Sequence, residues 1–227
     1  MKESDLKKVL TQKNMSKCDL IWLGEVHGIR ENYDVYKILI PYFIKNGFKN
    51  IFWEMPDDFS EKSKHTEDGR VNPFSVEFFK WVKDQIKKKK IDKLVFFGNL
   101  KVKESSPGTS NLYELNMAKE LLKLLPANTK TVIITGNYHM IDLMSKGEGK
   151  KSAFNFLEEK SNFSILRIFL EYSIGTFYNF GLKELMPKRP YSGDVPKFGT
   201  ITGSGKRFHF HMDKVNAVFK NPITIKK

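Results

Sequence analysis

Four short apolar runs constrain this chain more than any other feature: "LIWLG" at 20–24, "NIFWE" at 50–54, "KLVFFG" at 93–98 and "TVIITG" at 131–136. Each is almost continuously apolar, the pattern of a strand covered on both faces of a sheet. Between them lie segments long enough for crossover helices. Residues 32–46 place Tyr36, Leu39, Ile40, Phe43 and Ile44 at helical spacing and stop at Gly47, with Pro41 predicting a kink or an early break. Residues 74–89 repeat Phe78, Trp81, Val82 and Ile86 on one face. Residues 112–125 repeat Leu115, Ala118, Leu122 and Leu125, with Asn111 as the expected N-cap and Glu114 as a capping-box acid. This alternation predicts an α/β fold: a mainly parallel central sheet flanked by helices and joined by right-handed crossovers. A helix near 151–159, a strand at 163–172 and one or two strands within 206–225 complete it with extra C-terminal strands. No linker or repeat divides the 227 residues, so one domain over 1–227 is expected.

Strand direction then decides where chemistry belongs, because ligands of open α/β sheets bind outside the carboxyl ends of the strands. Glu25 and His27 stand at or just past the end of the first run, two positions apart and therefore on the same side of an extended backbone. Glu54 closes the second run, Asn99 follows the third, and His139 in "GNYHM" follows the fourth. Two polar, turn-rich loops, 56–73 and 101–110, leave the same edge and are expected as substrate lids. His27 suits a general base acting on water, since an imidazole titrates close to neutral pH. Glu25 or Glu54 would orient that ring. Two carboxylates brought close together would repel, raising one pKa and creating an acid. His139 and Arg30 would stabilise a developing oxyanion. The same Glu25, His27, Glu54 and His139 are also a competent donor set for a divalent metal such as Zn, Mn or Fe.

Composition narrows the alternatives. The net charge is +13, from 39 Lys and Arg against 26 Asp and Glu, but Arg occurs only at 30, 70, 167, 189 and 207. Base and phosphate readout favour Arg, and no nucleic-acid motif is present, so the excess reads as a Lys-coated surface. The densest run, "IKKKKIDK", follows a helical stretch whose C-terminal dipole it offsets. One cysteine, Cys18, excludes an internal disulfide and a Cys-rich metal site; with no base near it in sequence, it is expected to be inert. No apolar run approaches the ~20 residues that a spanning helix needs, and "MKESDLKKVL" is no secretory signal. A cytoplasmic chain is expected.

Lesser features have plainer readings. His209 and His211 share one face of an expected edge strand, and metal binding there is the weaker interpretation. "GTITGSGKR" fails the phosphate-loop spacing and reads as a turn, with Lys206 or Arg207 as auxiliary anion contacts. His65 belongs to the polar loop and is expected to be solvated. "GTFYNFG" at 175–181 is expected to line a hydrophobic pocket or to pack in the core.

The islands around the polar residues resemble a known group. "LGEVHGIRENY" resembles the G-E-(x)-x-H-G-x-R-E signature of erythromycin esterase-like proteins. Its shorter G-E-x-H form is similar to that of the haem-binding ChaN-like and Tiki/TraB group. "FWEMP", "GNYHM" and "DKVNAVF" at 213–219, with Asp213, follow in that superfamily's order. The islands cover about a fifth of the chain. The chain has one residue fewer between Glu and His than the esterases and is shorter than they are. The esterase resemblance implies hydrolysis of an ester or amide in a small-molecule or peptide substrate, with His27 activating water. The Tiki resemblance implies metal-dependent proteolysis, and the ChaN resemblance implies haem or metal binding without turnover.

Overall fold

A computed structural model describes residues 3–56, 66–97, 109–125, 129–143, 150–185 and 199–219. The four apolar runs form parallel strands: β1 (Leu20–Glu25), β2 (Asn50–Trp53), β3 (Lys93–Phe96) and β4 (Thr131–Gly136). They alternate with α3 (Glu31–Lys45), α4 (Pro73–Lys87) and α5 (Thr109–Leu124). After β4 come a 3-10 turn at Asn137–Met140, α6 (Ala153–Lys160) and the long strand β5 (Ile165–Tyr178). β6 (Leu182–Leu185), β7 (Thr200–Ser204) and β8 (Arg207–Val215) follow. The eight strands form one sheet in the order β3-β2-β4-β1-β5-β8-β7, with β6 pairing β5. Only the β5–β6 and β7–β8 pairs are antiparallel. The fold is α/β with a mostly parallel central sheet and C-terminal antiparallel strands.

Alternation along the strands builds two cores. Ile21 and Leu23 of β1 join Ile51, Trp53, Val132 and Ile134 beneath α3 and α4. Leu20 and Trp22 join Phe52, Ile133 and Phe169 beneath α5 and α6. Each large side chain removed from water in these layers contributes about 1.5–3 kcal/mol. The chain leaves β1 and β4, which are sheet neighbours, in opposite directions: β1 leads to β2 and β4 leads to β5. The crevice between their carboxyl ends is a topological switch point, where such sheets bind ligands.

Several local expectations are corrected. α3 runs unbroken through Pro41, because Tyr36, Leu39, Ile40 and Phe43 on both sides of the proline are buried in the core. α5 starts at Thr109, so Asn111 lies inside the helix and accepts from Lys151 N instead of capping. Two N-terminal helices, α1 (Glu3–Val9) and α2 (Gln12–Ser16), were not apparent in the sequence; they seat Leu6 and Met15 in the first core. "GSGKR" is the hairpin turn between β7 and β8. Lys87 to Lys90 are exposed at the end of α4. Among the described residues no helix is long and apolar enough to cross a membrane. His65 and Asn99 lie outside the described residues, as does the side chain of Asp213.

β5 is 14 residues long, and its last turnings reach past the sheet edge to the loop after β1. Gly28 O accepts from both Tyr178 N (3.1 Å) and Val218 N (2.9 Å), and Ile29 bridges Ala217. Gly28 has φ +78, and a Cβ there would stand 1.8 Å from Tyr178 O. Left-handed backbone costs a non-glycine residue about 1–3 kcal/mol before any clash with main-chain atoms is counted. Gly28→Ala is therefore expected to lower stability by about 3 kcal/mol or more, roughly 6–12 °C in Tm. Thermal unfolding monitored by circular dichroism measures this; an unchanged midpoint would refute the wedge.

Candidate active site

Register puts the acids and imidazoles together. β4 lies between β2 and β1, with Gly136 opposite Glu25 and Ile134 opposite Trp53. Glu54 continues that alignment, its N–H donating to Ile134 O at 2.9 Å. Its carboxylate turns inward, 2 % exposed, where Oε2 accepts from Gly136 N at 3.0 Å. Each imidazole presents Nε2 to this carboxylate: His27 at 4.0 Å and His139 at 3.6 Å. Each ring is held behind by its other nitrogen, His27 Nδ1 on Glu25 Oε1 at 2.9 Å and His139 Nδ1 on Glu114 Oε1 at 2.8 Å. Two Glu–His pairs therefore flank a third carboxylate. The four residues expected from the sequence meet at one place.

Three further residues complete the site. Arg70 Nη1 lies 3.5 Å from Glu54 Oε1, and its fork also grips Asp68 at 2.7 and 2.9 Å. Tyr113 Oη donates towards Glu54 Oε1 at 3.5 Å, and its ring packs 5.6 Å from that of His139. Glu114 accepts from Ala153 N with its second oxygen, tying α5 to the start of α6. Arg70 precedes Asn72, the N-cap of α4, which forms a capping box with Ser75 and donates to Tyr33 Oη. That network fixes the loop which delivers the guanidinium.

The expectations for Arg30 and Glu114 change accordingly. Arg30 is exposed and lies over the Phe74 ring, 5.1 Å from its centroid, while the guanidinium against Glu54 is that of Arg70. Glu114 is no capping-box acid, because its helix begins five residues earlier. A signal for it existed: Glu114, Met117, Ala118 and Leu121 form the buried stripe of α5, and an acid on such a stripe needs a partner.

Electrostatics assign protonation states. Burial alone would raise the Glu54 pKa, but His139, His27, Arg70 and the Gly136 N–H outweigh it and hold the carboxyl below its ordinary value. The expected acid made by carboxylate repulsion is thus absent from Glu54, whose close neighbours are cationic or donors. Burial would lower the His139 pKa; the Glu54 charge and the Glu114 hydrogen bond override it and push the imidazole up. Burial drives Tyr113 strongly upward, keeping it a phenol. Glu25 Oε2 is buried with no hydrogen-bond partner among the described residues, leaving an acceptor for a donor such as water.

The metal or haem implied by the resemblance fits this arrangement poorly. Carboxylates behind Nδ1 are the backing that metal-ligating histidines also use, but both Nε2 atoms face Glu54, whose oxygens already have Arg70 Nη1 at 3.5 Å and the Gly136 N–H at 3.0 Å. Among the described residues no group of three or more His, Cys, Asp or Glu is arranged to hold a metal ion. Around the two Nε2 atoms stand Glu54, Arg70 and Tyr113, charged and polar groups rather than the apolar walls against which a haem ring would lie. The other described histidines form a separate group: His209 Nδ1 meets Glu171 at 2.5 Å, His211 Nδ1 meets it at 3.7 Å, and His211 Nε2 contacts Thr202. Cys18 is buried with its thiol on Asn14 O, and burial raises its pKa.

No family model matches the chain, and no curated protein does. Two solved structures resemble it. A crystal structure of a Bacillus cereus protein aligns with a TM-score of 0.65 at 11 % identity, covering 99 % of this chain and 94 % of that one. The type III effector HopBA1 aligns with a TM-score of 0.46 at 12 % identity, covering 89 % and 91 %. The first likeness shows a shared fold.

Two outcomes follow from the geometry. The sign for His139 is that of a raised pKa: its stabilising charge is complete below the ordinary 6.5 and is lost as pH rises through the higher folded value. Glu54 is the reverse, stabilising above its ordinary 4.5 and losing this as pH falls through its lowered folded value. Nuclear magnetic resonance should show His139 titrating above 6.5, and at lower pH in Glu54→Gln. An unmoved titration would contradict the contact. A Cβ on Gly136 would lie 3.3 Å from His27 Nε2 and 3.7 Å from His139 Nε2, in the space between the rings. Gly136→Ala is expected to displace the His27 and His139 imidazole resonances while moving Tm by only a few degrees.

Proposed function

We propose that this protein is a hydrolase that cleaves an ester or amide bond in a cytoplasmic small-molecule or peptide substrate, using water activated at the Glu/His site. The observation that carries the reading is the convergence of two carboxylate-backed imidazoles on Glu54 at the switch point of the sheet. The order of its motifs, which resembles that of erythromycin esterase-like proteins, supports it.

Roles follow from partners. His27, oriented by Glu25, takes a proton from water through Nε2, and the hydroxide adds to the substrate carbonyl. His139, whose pKa Glu54 and Glu114 push above the ordinary imidazole value, stabilises in its protonated form, with Arg70 nearby, the negative charge that develops on the carbonyl oxygen. Glu54 fixes both rings and stabilises the imidazolium that His27 becomes. When the tetrahedral species collapses, the proton on His27 passes to the departing alkoxide or amine, restoring the base. Nothing in this cycle requires a covalent intermediate. Arg70 beside Glu54 supplies the positive charge that a metal would otherwise bring, which favours the metal-independent version over haem or metal binding.

A panel of chromogenic esters and amides tests the assignment. His27→Ala and Glu54→Gln are expected to lose about 10²–10⁴ of the rate on any substrate turned over, the range for removing a general base. Chelators should leave the wild-type rate unchanged, and elemental analysis should find no stoichiometric metal. Equal activity in the wild type and both variants would eliminate the assignment; loss of activity on chelation would favour a metallohydrolase.

A further inference from the structure

A cavity is built beside the same turn that presents His27. It has a volume of about 410 Å³ and is lined by Arg30, Phe74, Thr176, Leu182, Val218 and Phe219, among others. Its wall hydrogen-bonds directly to the turn, Val218 N and Tyr178 N donating to Gly28 O and Ile29 bridging Ala217. Arg30 lies three residues beyond His27, so their Cα atoms are at most about 11 Å apart.

Among the described residues lining the cavity, Arg30 is the one that is charged. Its guanidinium carbon lies 5.1 Å from the Phe74 ring centroid, a cation–π contact that uses none of its N–H donors. Glu31 is the obvious partner, but both of its oxygens are taken by Asn216, from N at 2.8 Å and from Nδ2 at 2.7 Å. Among the described residues Arg30 forms no ion pair. An apolar wall with one uncompensated guanidinium complements a molecule with an apolar body and one negative end. A carboxylate matches the planar fork, whereas the Glu31 charge beside it disfavours a dianion such as a phosphate monoester. The volume suits a small ligand.

The geometry points to a binding subsite for an apolar carboxylate, an aryl or medium-chain alkyl group ending in one carboxylate that pairs with Arg30. Combined with the hydrolase reading, on which this second part rests, the substrate class is an ester or amide carrying a further free carboxylate, such as a hemi-ester of a dicarboxylic acid. Its carboxylate docks at Arg30 while the scissile carbonyl reaches the water at His27. Arg30 thereby selects substrate, while Arg70 serves the reacting centre.

Calorimetric titration with octanoate and octanamide tests the subsite without turnover. Octanoate should bind the wild type and His27→Ala alike, at least tenfold more weakly to Arg30→Met, whose altered side chain is exposed, and not at all to Ala217→Phe, which fills the cavity. Octanamide should bind at least tenfold more weakly than octanoate. No octanoate binding at millimolar concentration, equal binding by Arg30→Met, or equal binding of octanamide overturns the subsite. The linked kinetic test compares the mono-4-nitrophenyl ester of octanedioic acid with 4-nitrophenyl octanoate. Preference for the charged ester should collapse at least tenfold in Arg30→Met. Arg30-dependent octanoate binding in a protein that hydrolyses neither ester upholds the subsite and overturns the hydrolase assignment.

Discussion

A carboxylate kept ionised in the interior is the constraint around which this site is arranged. Glu54 is nearly inaccessible to water, and an unpaired charge there would cost several kcal/mol. Its two oxygens are met by a backbone N–H, two imidazole nitrogens, a phenol and a guanidinium. Each mobile partner has its own anchor: Glu25 behind His27, Glu114 behind His139, Asp68 beside Arg70. Those outer acids make the pairings directional. Without them the rings could turn away and leave the central charge unsatisfied.

Topology brings the parts together. Parallel strands all end at one edge, so side chains far apart in sequence arrive in register: Glu25 opposite Gly136, and Glu54 one step beyond Trp53. Reversal of direction between β1 and β4 parts their helices to opposite faces and leaves a crevice between the carboxyl ends of the two strands. α5 then reaches over from one face with Tyr113 and Glu114, and the loop before α4 brings Arg70 from the other. Chemistry at this place needs a fold in which both faces are clad, because only then are the acids dry enough to interact strongly.

The sequence made the sheet legible because buried strands are apolar without interruption, and no helix of a small domain imitates four such runs. Glu25, His27, Glu54 and His139 were legible for a related reason: strand ends are fixed by the runs themselves. Arg70 and Glu114 were not, since a loop residue and a helical acid owe their positions to packing angles that periodicity does not encode. The Arg content held a clue. In a chain that spends lysine on its surface, the four described arginines each have a planar task, Arg30 on Phe74, Arg167 on Phe154, Arg207 on Phe169 and Arg70 on its carboxylates. Pro41 misled because proline's local cost of about 3 kcal/mol is small beside the burial of the aromatic and aliphatic residues around it.

The overhang of β5 has a consequence for how the molecule opens. Its first half is clamped between β1 and β8, whereas its last residues pair only with short β6 and lean on Gly28 and Phe219. Protection against hydrogen exchange should therefore fall off sharply along a single strand, the inner amides opening only with global unfolding and the outer ones by local fraying. The part that frays is the part that braces the His27 turn. The order of the His27 turn and global folding are thus governed by two different free energies, and the smaller one belongs to the site.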